Sequence, residues 1–378
     1  MTRRDCTRQL GAFLAASPIL RAQSKLDDMI NIFDFDPACK ERISKTAYEY
    51  VSGGSWDEWT LARNREGFRR IVFRPRFFRE VDKLDLSTTI LGQKFTMPIL
   101  VAPTGSHGLI HPEGELATAQ GAGAAGAPMV VSTTSSFPIE KIAAAATGPL
   151  WFQLYAGPDL EGTRERVEKA VAAGCKAVCL TVDAPYFAPR ERDARNRLGR
   201  PTADRTARRR APGSPPPSPY GLAPRFQAEL NWSFLADLKA YAKAPVLVKG
   251  ILTPEDAQLC VERGADGIVV SNHGGRYLDG DPSTIEVLPE IVEVVAGRIP
   301  VLIDSGFRRG TDILKALALG AKAVLVGRPP LWGLGAFGET GVRRVMEILS
   351  TELAWAMGLA GRPSLASIDR SLVRIELR

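Results

Sequence analysis

The sequence predicts an α/β chain built on a (β/α)8 TIM barrel, preceded by an N-terminal helical extension and closed by C-terminal helices. Three observations predict it. Eight β-rich runs of five or six residues, nearly continuous in apolar character, recur from residue 98 onward, as parallel strands covered on both faces require. Ala-, Glu- and Lys-rich stretches with helical spacing separate most of them, such as EGELATAQGAGAAG (113–126) and EGTRERVEKAVAAG (161–174). Polar residues then stand at the C-terminal ends of the runs: Thr104, Ser132, Gln153, Tyr155, Thr181, Asp183, Lys249, His273, Asp304 and Arg328. A barrel collects all such ends in one mouth, whereas a doubly wound open sheet collects only a few.

Taken in order, residues 1–24 read as an export leader or a disordered extension. It pairs Arg3 with Arg4 and continues into an apolar stretch from Leu10 to Leu20, which resembles a twin-arginine export signal. Cys6 stands where such signals usually carry a bulky apolar residue. Read as a leader, the stretch places the protein in the periplasm; read as a plain extension, it leaves it in the cytoplasm. Residues 25–97 form a region packed on the barrel, helical over 28–73 with a break at Gly53–Gly54, then a short extended or hairpin segment over 74–97. The barrel occupies 98–378. Its strands are expected at PILVAP (98–103), PMVVST (128–133), LWFQLY (150–155), AVCLTVD (177–183), PVLVKG (245–250), GIVVSN (267–272), PVLIDS (300–305) and AVLVGR (323–328). After the fourth, residues 198–228 are rich in Arg and Pro and lack periodicity, so a mobile loop is expected there.

The net charge of +7 is concentrated. Residues 190–210 hold nine arginines against Glu191, Asp193 and Asp204, and carry +6. With no aromatic residues interleaved to stack bases, this reads as a solvated loop and not a nucleic-acid surface. No apolar run approaches the ~18 residues of a spanning helix. The five cysteines are odd in number and include no CxxC, so neither a metal nor a redox pair is expected. Cys175 and Cys179, four apart around a strand, are expected to share one face as packing residues. GLGAFG (333–338) matches a dinucleotide fingerprint, but Pro329–Trp332 separate it from the preceding strand and exclude that reading.

The candidate chemistry centres on SNHGGRYLDG (271–280). His273 ends strand six and Asp183 ends strand four; a carboxylate on one ring nitrogen raises the basicity of the other. A structural histidine with an unrelated aspartate is the plainer alternative. Arg276, in the same turn, and Arg190 suggest a grip on a substrate carboxylate, although Arg190 also reads as one more solvated arginine. Lys249 ends strand five and could stabilise negative charge, form a Schiff base or sit in a structural ion pair. DSGFRRGTD (304–312) and VGRPP (326–330) follow strands seven and eight, where barrels commonly bind phosphate through backbone amides, a helix N-terminus and arginine.

These residues resemble the FMN-dependent L-2-hydroxy acid oxidases and dehydrogenases, the family of glycolate oxidase, lactate oxidase, flavocytochrome b2 and mandelate dehydrogenase. SNHGGRYLDG is similar to the family's active-site motif. LTVDAP, VLVKGI, DSGFRRGTDILKALALGA, VGRP, YVSGGSWDEWTLARN and APTGS match in order and spacing. The resemblance covers roughly 28–190 and 230–365. It implies FMN as cofactor and oxidation of a small L-2-hydroxy acid to the 2-oxo acid. His273 would be the base and Asp183 its partner, Arg276 and Arg190 would hold the substrate carboxylate, and Tyr50 and Tyr155 would hydrogen-bond the substrate. Two electrons would reach flavin N5. Lys249 would stabilise the reduced ring. Ala102, Thr104, Ser132, Gln153 and Thr181 would contact the isoalloxazine, and Asp304, Gly306, Arg308, Gly327 and Arg328 would hold the ribityl phosphate. The electron acceptor would be O2, a quinone or a cytochrome, and the assembly a homo-tetramer. His273 is expected to be exposed and free of bulky neighbours.

Three positions depart from the family pattern. Thr134 stands where some members carry an aromatic residue over the substrate, Gly105 where many have Ala, and Tyr277 where Gln is common. The basic loop 198–228 is expected to contact an acidic electron acceptor or a membrane surface. Two other readings keep the phosphate loops: a type 2 isopentenyl diphosphate isomerase-like enzyme, which would lack the paired arginines and the His/Arg turn, and a non-catalytic flavin-binding barrel, which would show lesions at the matched positions.

Overall fold

The computed structural model describes residues 24–376 apart from 158, 187, 197 and 199–230. Most of the leader and residues 199–228 of the Arg/Pro-rich loop therefore lie outside the described residues. The extension holds α1 (Ile32–Arg42), α2 (Lys45–Ser52) and α3 (Trp59–Glu66). The Asn31 side chain caps α1 by accepting from the Phe33 amide, and Ser44 caps α2 through the Ala47 amide. The extension is not helical to residue 73, because β1 (Ile71–Phe73) pairs antiparallel with the last strand, β12 (Val373–Ile375). The run IVF, β-branched and aromatic, meets VRI there and ties the end of the helical extension to the last strand.

A hairpin follows, β2 (Thr88–Ile90) and β3 (Gln93–Phe95), turned by Leu91 and Gly92 at positive φ as a two-residue hairpin turn requires. The barrel then alternates β4 (Ile99–Val101), α4 (Gly114–Ala124), β5 (Met129–Ser132), α5 (Ile139–Ala145), β6 (Leu150–Leu154), α6 (Leu160–Ala172) and β7 (Val178–Thr181). After α7 (Glu191–Arg195) and α8 (Phe234–Ala242) come β8 (Val246–Ile251), α9 (Pro254–Glu262), β9 (Gly267–Val270), α10 (Thr284–Val295), β10 (Val301–Ile303), α11 (Gly310–Ala318), β11 (Ala323–Val326) and α12 (Arg328–Leu359). All eight expected strands form, and β11 pairs with β4 to close a parallel barrel.

Strand alternation decides what enters the mouth. Leu100, Val130, Trp151, Cys179, Leu247, Val269, Leu302 and Leu325 form a buried cluster inside the barrel. Ile90 and Phe95 of the hairpin belong to the same cluster, so the hairpin plugs the barrel at its N-terminal end. Side chains on the opposite parity, such as Ile99, Val131, Phe152 and Ile268, join the larger core between strands and helices. Two or four residues beyond each inward position, the same parity yields Thr104, Ser132, Tyr155, Lys249, His273 and Asp304.

One further expectation is corrected here. Cys179 belongs to the inner cluster and Cys175 to the outer core; Cys175 precedes β7, beside Gly174 at φ +103°, so strand alternation does not yet govern it. Both thiols are buried, and burial pushes each up to about 12. GLGAFG lies within α12, which kinks at Phe337–Gly338. A Cβ on Gly335 would meet the Cys39 sulfur of α1 at 2.5 Å and one on Gly333 the Gly341 carbonyl at 2.5 Å, so these glycines serve close packing.

Candidate active site

The strand ends open into a cavity of about 570 Å³, lined by Tyr50, Ala102, Thr104, Ser132, Tyr155, Arg190, Lys249, His273, Arg276, Asp304, Gly306, Arg308, Gly327 and Arg328. Among the predicted site residues, Asp183, Gln153 and Thr181 do not line it. Gln153 lies one layer deeper, accepting from Ser132 Oγ at 3.1 Å and donating to Thr181 Oγ1 at 3.0 Å. It orients Ser132 from behind.

Asp183 stands behind His273 and accepts from its Nδ1–H at 2.9 Å. Burial opposes the Asp183 charge, but His273 and Lys249 outweigh it and hold this carboxyl below its usual range. A Cβ on Gly250 would meet the Asp183 Cβ at 2.6 Å, so the glycine of VLVKG makes room for the pair. Nε2 of His273 faces Tyr155 Oη at 3.1 Å. Burial also pushes the imidazole below its usual range, against the pull of Asp183. The ring is therefore neutral at rest, with its lone pair on Nε2.

The His273 environment corrects the expectation of an exposed ring without bulky neighbours. The side chain is only 17% exposed, with Tyr277 edge-on at 4.5 Å and Tyr155 nearly parallel at 6.3 Å. Aromatic walls remove the ring from water, which favours its neutral form. His273 adopts φ +56°, followed by Gly274 at +68° and Gly275 at +71°. Its amide donates to Ser271 Oγ, which also accepts from Lys249 Nζ at 2.7 Å. Lys249 pairs with Asp304 at 3.0 Å. Burial disfavours its ammonium, yet Asp304 and Asp183 outweigh burial and hold it above the usual lysine range.

The extension supplies the other wall. Asp279 accepts from the Thr60 and Trp59 amides at the start of α3, and Asn64 exchanges hydrogen bonds with Asn272 at 2.9 and 2.8 Å. The Tyr50 ring is thereby placed 5.4 Å from the Arg190 guanidinium and 5.1 Å from that of Arg276. Arg276 donates to the Tyr50 and Gly53 carbonyls; burial, then Arg190, lowers its pKa. Arg190 pairs with Asp193 at 3.0 Å.

A second group of cations follows β10 and β11. Arg308 stacks on Trp332 at 4.6 Å and is pushed down to about 9 by burial and then by Arg65. Arg328 is held well below the usual arginine range by burial, then by Arg276 and Arg308. It donates to the carbonyls of Val51, Gly53 and Gly274. At α11 the Arg308 and Arg309 amides both donate to Asp312 Oδ2, so the chain caps that helix itself, whereas α12 starts after Gly327 with no side-chain cap. The arginine side chains and the start of α12 are the anion donors that face the cavity.

These features fit a bound flavin nucleotide. The volume lies within the ~300–1,000 Å³ of small-molecule sites. Ala102 and Gly327 keep one wall low, since a Cβ on Gly327 would meet only Thr104 Cγ2 at 3.5 Å and Ala102 Cβ at 3.9 Å. Arg308 and Arg328 supply charge for a phosphate, and Lys249 supplies a buried cation. A family model for FMN-dependent dehydrogenases matches residues 39–375. The chain belongs to that family.

Its curated relatives include the peroxisomal (S)-2-hydroxyacid oxidase GLO3 of Arabidopsis thaliana, 46% identical over 358 residues, with 93% of this chain and 98% of the relative covered. An L-lactate oxidase of Nostoc sp. is 45% identical over 360 residues, covering 92% and 98%. A crystal structure of mandelate oxidase superposes with a TM-score of 0.83 at 39% identity, covering 92% of this chain and 99% of the other. FMN is thus the cofactor of this chain, and Ala102, Thr104, Ser132, Lys249, Gly306, Arg308, Gly327 and Arg328 are the cavity residues available to hold it.

Sequence reasoning missed Ser271, Asp193 and Asn64. Ser271 had a readable signal, standing two residues before His273 on the inward parity. Asp193 was hidden among the arginines around it. Asn64 is recognisable only once α3 is seen against the His273 loop.

The lowered His273 pKa has a kinetic consequence. The base must be neutral, so the acid limb of kcat/KM is expected below the usual imidazole value of about pH 6.5. Asp183→Asn removes the charge that raises the ring pKa, so the limb should move to still lower pH, with kcat down by roughly 10²–10⁴-fold. A pH–rate profile of both proteins checks this; a limb above pH 6.5 would contradict the assignment.

Proposed function

We propose that this chain oxidises a small L-2-hydroxy acid to the corresponding 2-oxo acid, with FMN as the electron acceptor. One observation carries the reading: a neutral histidine backed by a carboxylate shares a cavity with two groups of cations. One group, Arg190 with Arg276, suits a carboxylate; the other, Arg308 with Arg328, suits a phosphate. The relatives named for oxidation of hydroxy acids support it. When bound, FMN would supply the acceptor for the Cα hydrogen, which leaves with the electron pair once the hydroxyl proton is removed. Arg276 and Arg190 hold the substrate carboxylate, and Tyr50, set between them, adds a hydroxyl. His273 Nε2 takes the hydroxyl proton, and Asp183 stabilises the imidazolium that results. Tyr155 orients the substrate beside Nε2. An isomerase reading gains nothing here, since it needs neither the paired arginines nor the His/Arg turn.

The deciding measurement is the flavin spectrum of the purified holoprotein, mixed without oxygen with L-lactate, glycolate and L-mandelate in turn, then opened to air. Loss of the oxidised band with one of the acids is expected, and fast recovery in air identifies O2 as the acceptor. Failure of reconstituted protein to bind FMN would end the proposal.

Side-chain selectivity is set, on this reading, by Gly105 and Thr134, which both line the cavity. An alanine Cβ at 105 would lie 2.1 Å from Thr134 Oγ1 and 3.2 Å from its Cβ. The two residues therefore require each other, and together they leave a low, partly polar wall that admits more than glycolate. Gly105→Ala should cost about 1–3 kcal/mol of holoprotein stability, and adding Thr134→Ala should restore part of it, since the Thr134 carbonyl at 3.0 Å remains, as read by chemical denaturation. Thr134→Trp should narrow the accepted acids toward glycolate.

Export through the Arg3–Arg4 leader and acceptor docking through 198–228 belong to the same proposal, as does a homo-tetramer. Fractionation of cells making the full chain should find it in the periplasm, and light scattering should return four copies. Deletion of 198–228 should slow the reaction with the acceptor while leaving anaerobic bleaching intact; unchanged acceptor kinetics would remove the docking role.

A further inference from the structure

The chain has three histidines, and the reaction uses one. His107 is another with a defined setting. It follows β4 in the short helical turn His107–Leu109 and has no accessible surface. Its ring bridges two hydroxyls, with Nε2 2.8 Å from Thr104 Oγ1 and Nδ1 2.9 Å from Thr118 Oγ1. Glu115 fixes the backbone below it by accepting the amides of His107 and Ser136, each at 3.0 Å.

The proton directions in this chain follow from counting. Thr118 donates its hydroxyl to the Gly114 carbonyl, one turn back on α4, at 3.1 Å. A hydroxyl has one proton, so toward His107 the Thr118 oxygen can only accept, and Nδ1 carries the N–H. Burial holds the ring below its usual range against the pull of Glu115, so the imidazole is neutral and Nε2 is bare. The Thr104 carbonyl also lies near enough to favour the charged ring, but the hydroxyl is the Thr104 group at hydrogen-bond geometry with Nε2. Nε2 therefore takes the one proton of Thr104. Thr104 lines the cavity, so wherever its hydroxyl oxygen meets the contents it offers lone pairs only.

We propose that His107 is a positioning residue that commits the Thr104 hydroxyl proton, so that Thr104 meets bound FMN only as a hydrogen-bond acceptor. The inference rests on the FMN reading above. Flavin has more ring N–H groups reduced than oxidised, so an acceptor in the wall favours the reduced state. A hydroxyl free to donate would favour the oxidised state.

The test uses the full chain, labelled with ¹⁵N-histidine, with and without FMN. The His107 signals should report Nδ1–H and a bare Nε2 in both forms. The midpoint potential of bound FMN is read in parallel. His107→Leu and Thr104→Val should each cost about tenfold in the preference for reduced over oxidised FMN, or about 30 mV for a two-electron couple. The double variant should match Thr104→Val, because the two residues act through one hydrogen bond. His107→Gln, whose amide can accept from Thr104 and donate to Thr118, should retain the wild-type potential. An Nε2–H tautomer, an unchanged potential in Thr104→Val, or additive single variants would overturn the inference. If His107→Leu does not fold, the tautomer and Thr104→Val decide it. Because the tautomer is read without FMN as well, failure of the flavin proposal is separable from failure of this one.

Discussion

Burial of several like-charged guanidinium groups together at the barrel mouth is the constraint on which the rest of the site depends. Arg276, Arg308 and Arg328 each have a depressed pKa because burial strips their hydration and their neighbours are like-charged. Such a group stays protonated only if its donors are used. Here several go to backbone carbonyls: Tyr50, Val51 and Gly53 in the extension, Gly274 in the His273 loop and Phe307 beside β10. A guanidinium has five N–H donors, so these bonds leave capacity over. The remaining donors and the unbalanced charge are what an anion satisfies, and anion binding is thereby coupled to docking of the extension.

The same contacts explain why the His273 loop can hold a strained backbone. An L-residue at φ +56° costs of the order of 1–3 kcal/mol and persists only where its surroundings impose it. Here they do. Gly274 donates to Ser305 Oγ, Gly275 lies so close to α3 that a Cβ would meet the Leu61 amide nitrogen at 2.6 Å, and Asp279 caps that helix. The turn rich in glycine is thus a docking surface for α3, and the histidine between strand and turn is aimed by that docking.

What was legible in the sequence followed period and parity. The eight strands were readable because each is a short apolar run, and the inward parity carried Thr104, Ser132, Lys249, His273 and Asp304 to the mouth. Parity could not separate the cavity wall from the layer beneath it. Gln153 and Thr181 share the inward parity, yet they lie under Ser132, because the depth of a side chain depends on where each strand ends. Asp312 was invisible as a cap because the same residues, Arg308 to Asp312, also read as an anion loop. Tyr277 as a wall of His273 required the fold of the 271–280 turn, where strand spacing no longer applies.

His107 and His273 show how one device serves two ends. Burial holds both rings below the usual imidazole range, and in both the environment fixes the proton on Nδ1. Behind His273 the acceptor is the Asp183 carboxylate, which can stabilise a proton arriving at Nε2, so that ring is able to act as a base. Behind His107 the acceptor is a threonine hydroxyl already committed to a backbone carbonyl. That hydroxyl offers no charge to stabilise an imidazolium, and the pull of the nearby Glu115 carboxylate, one of whose oxygens accepts two backbone amides, is outweighed by burial. The ring is left as a neutral, fixed acceptor. Two histidines of the same tautomer and similar burial are thus assigned different work by the charge of the group behind Nδ1.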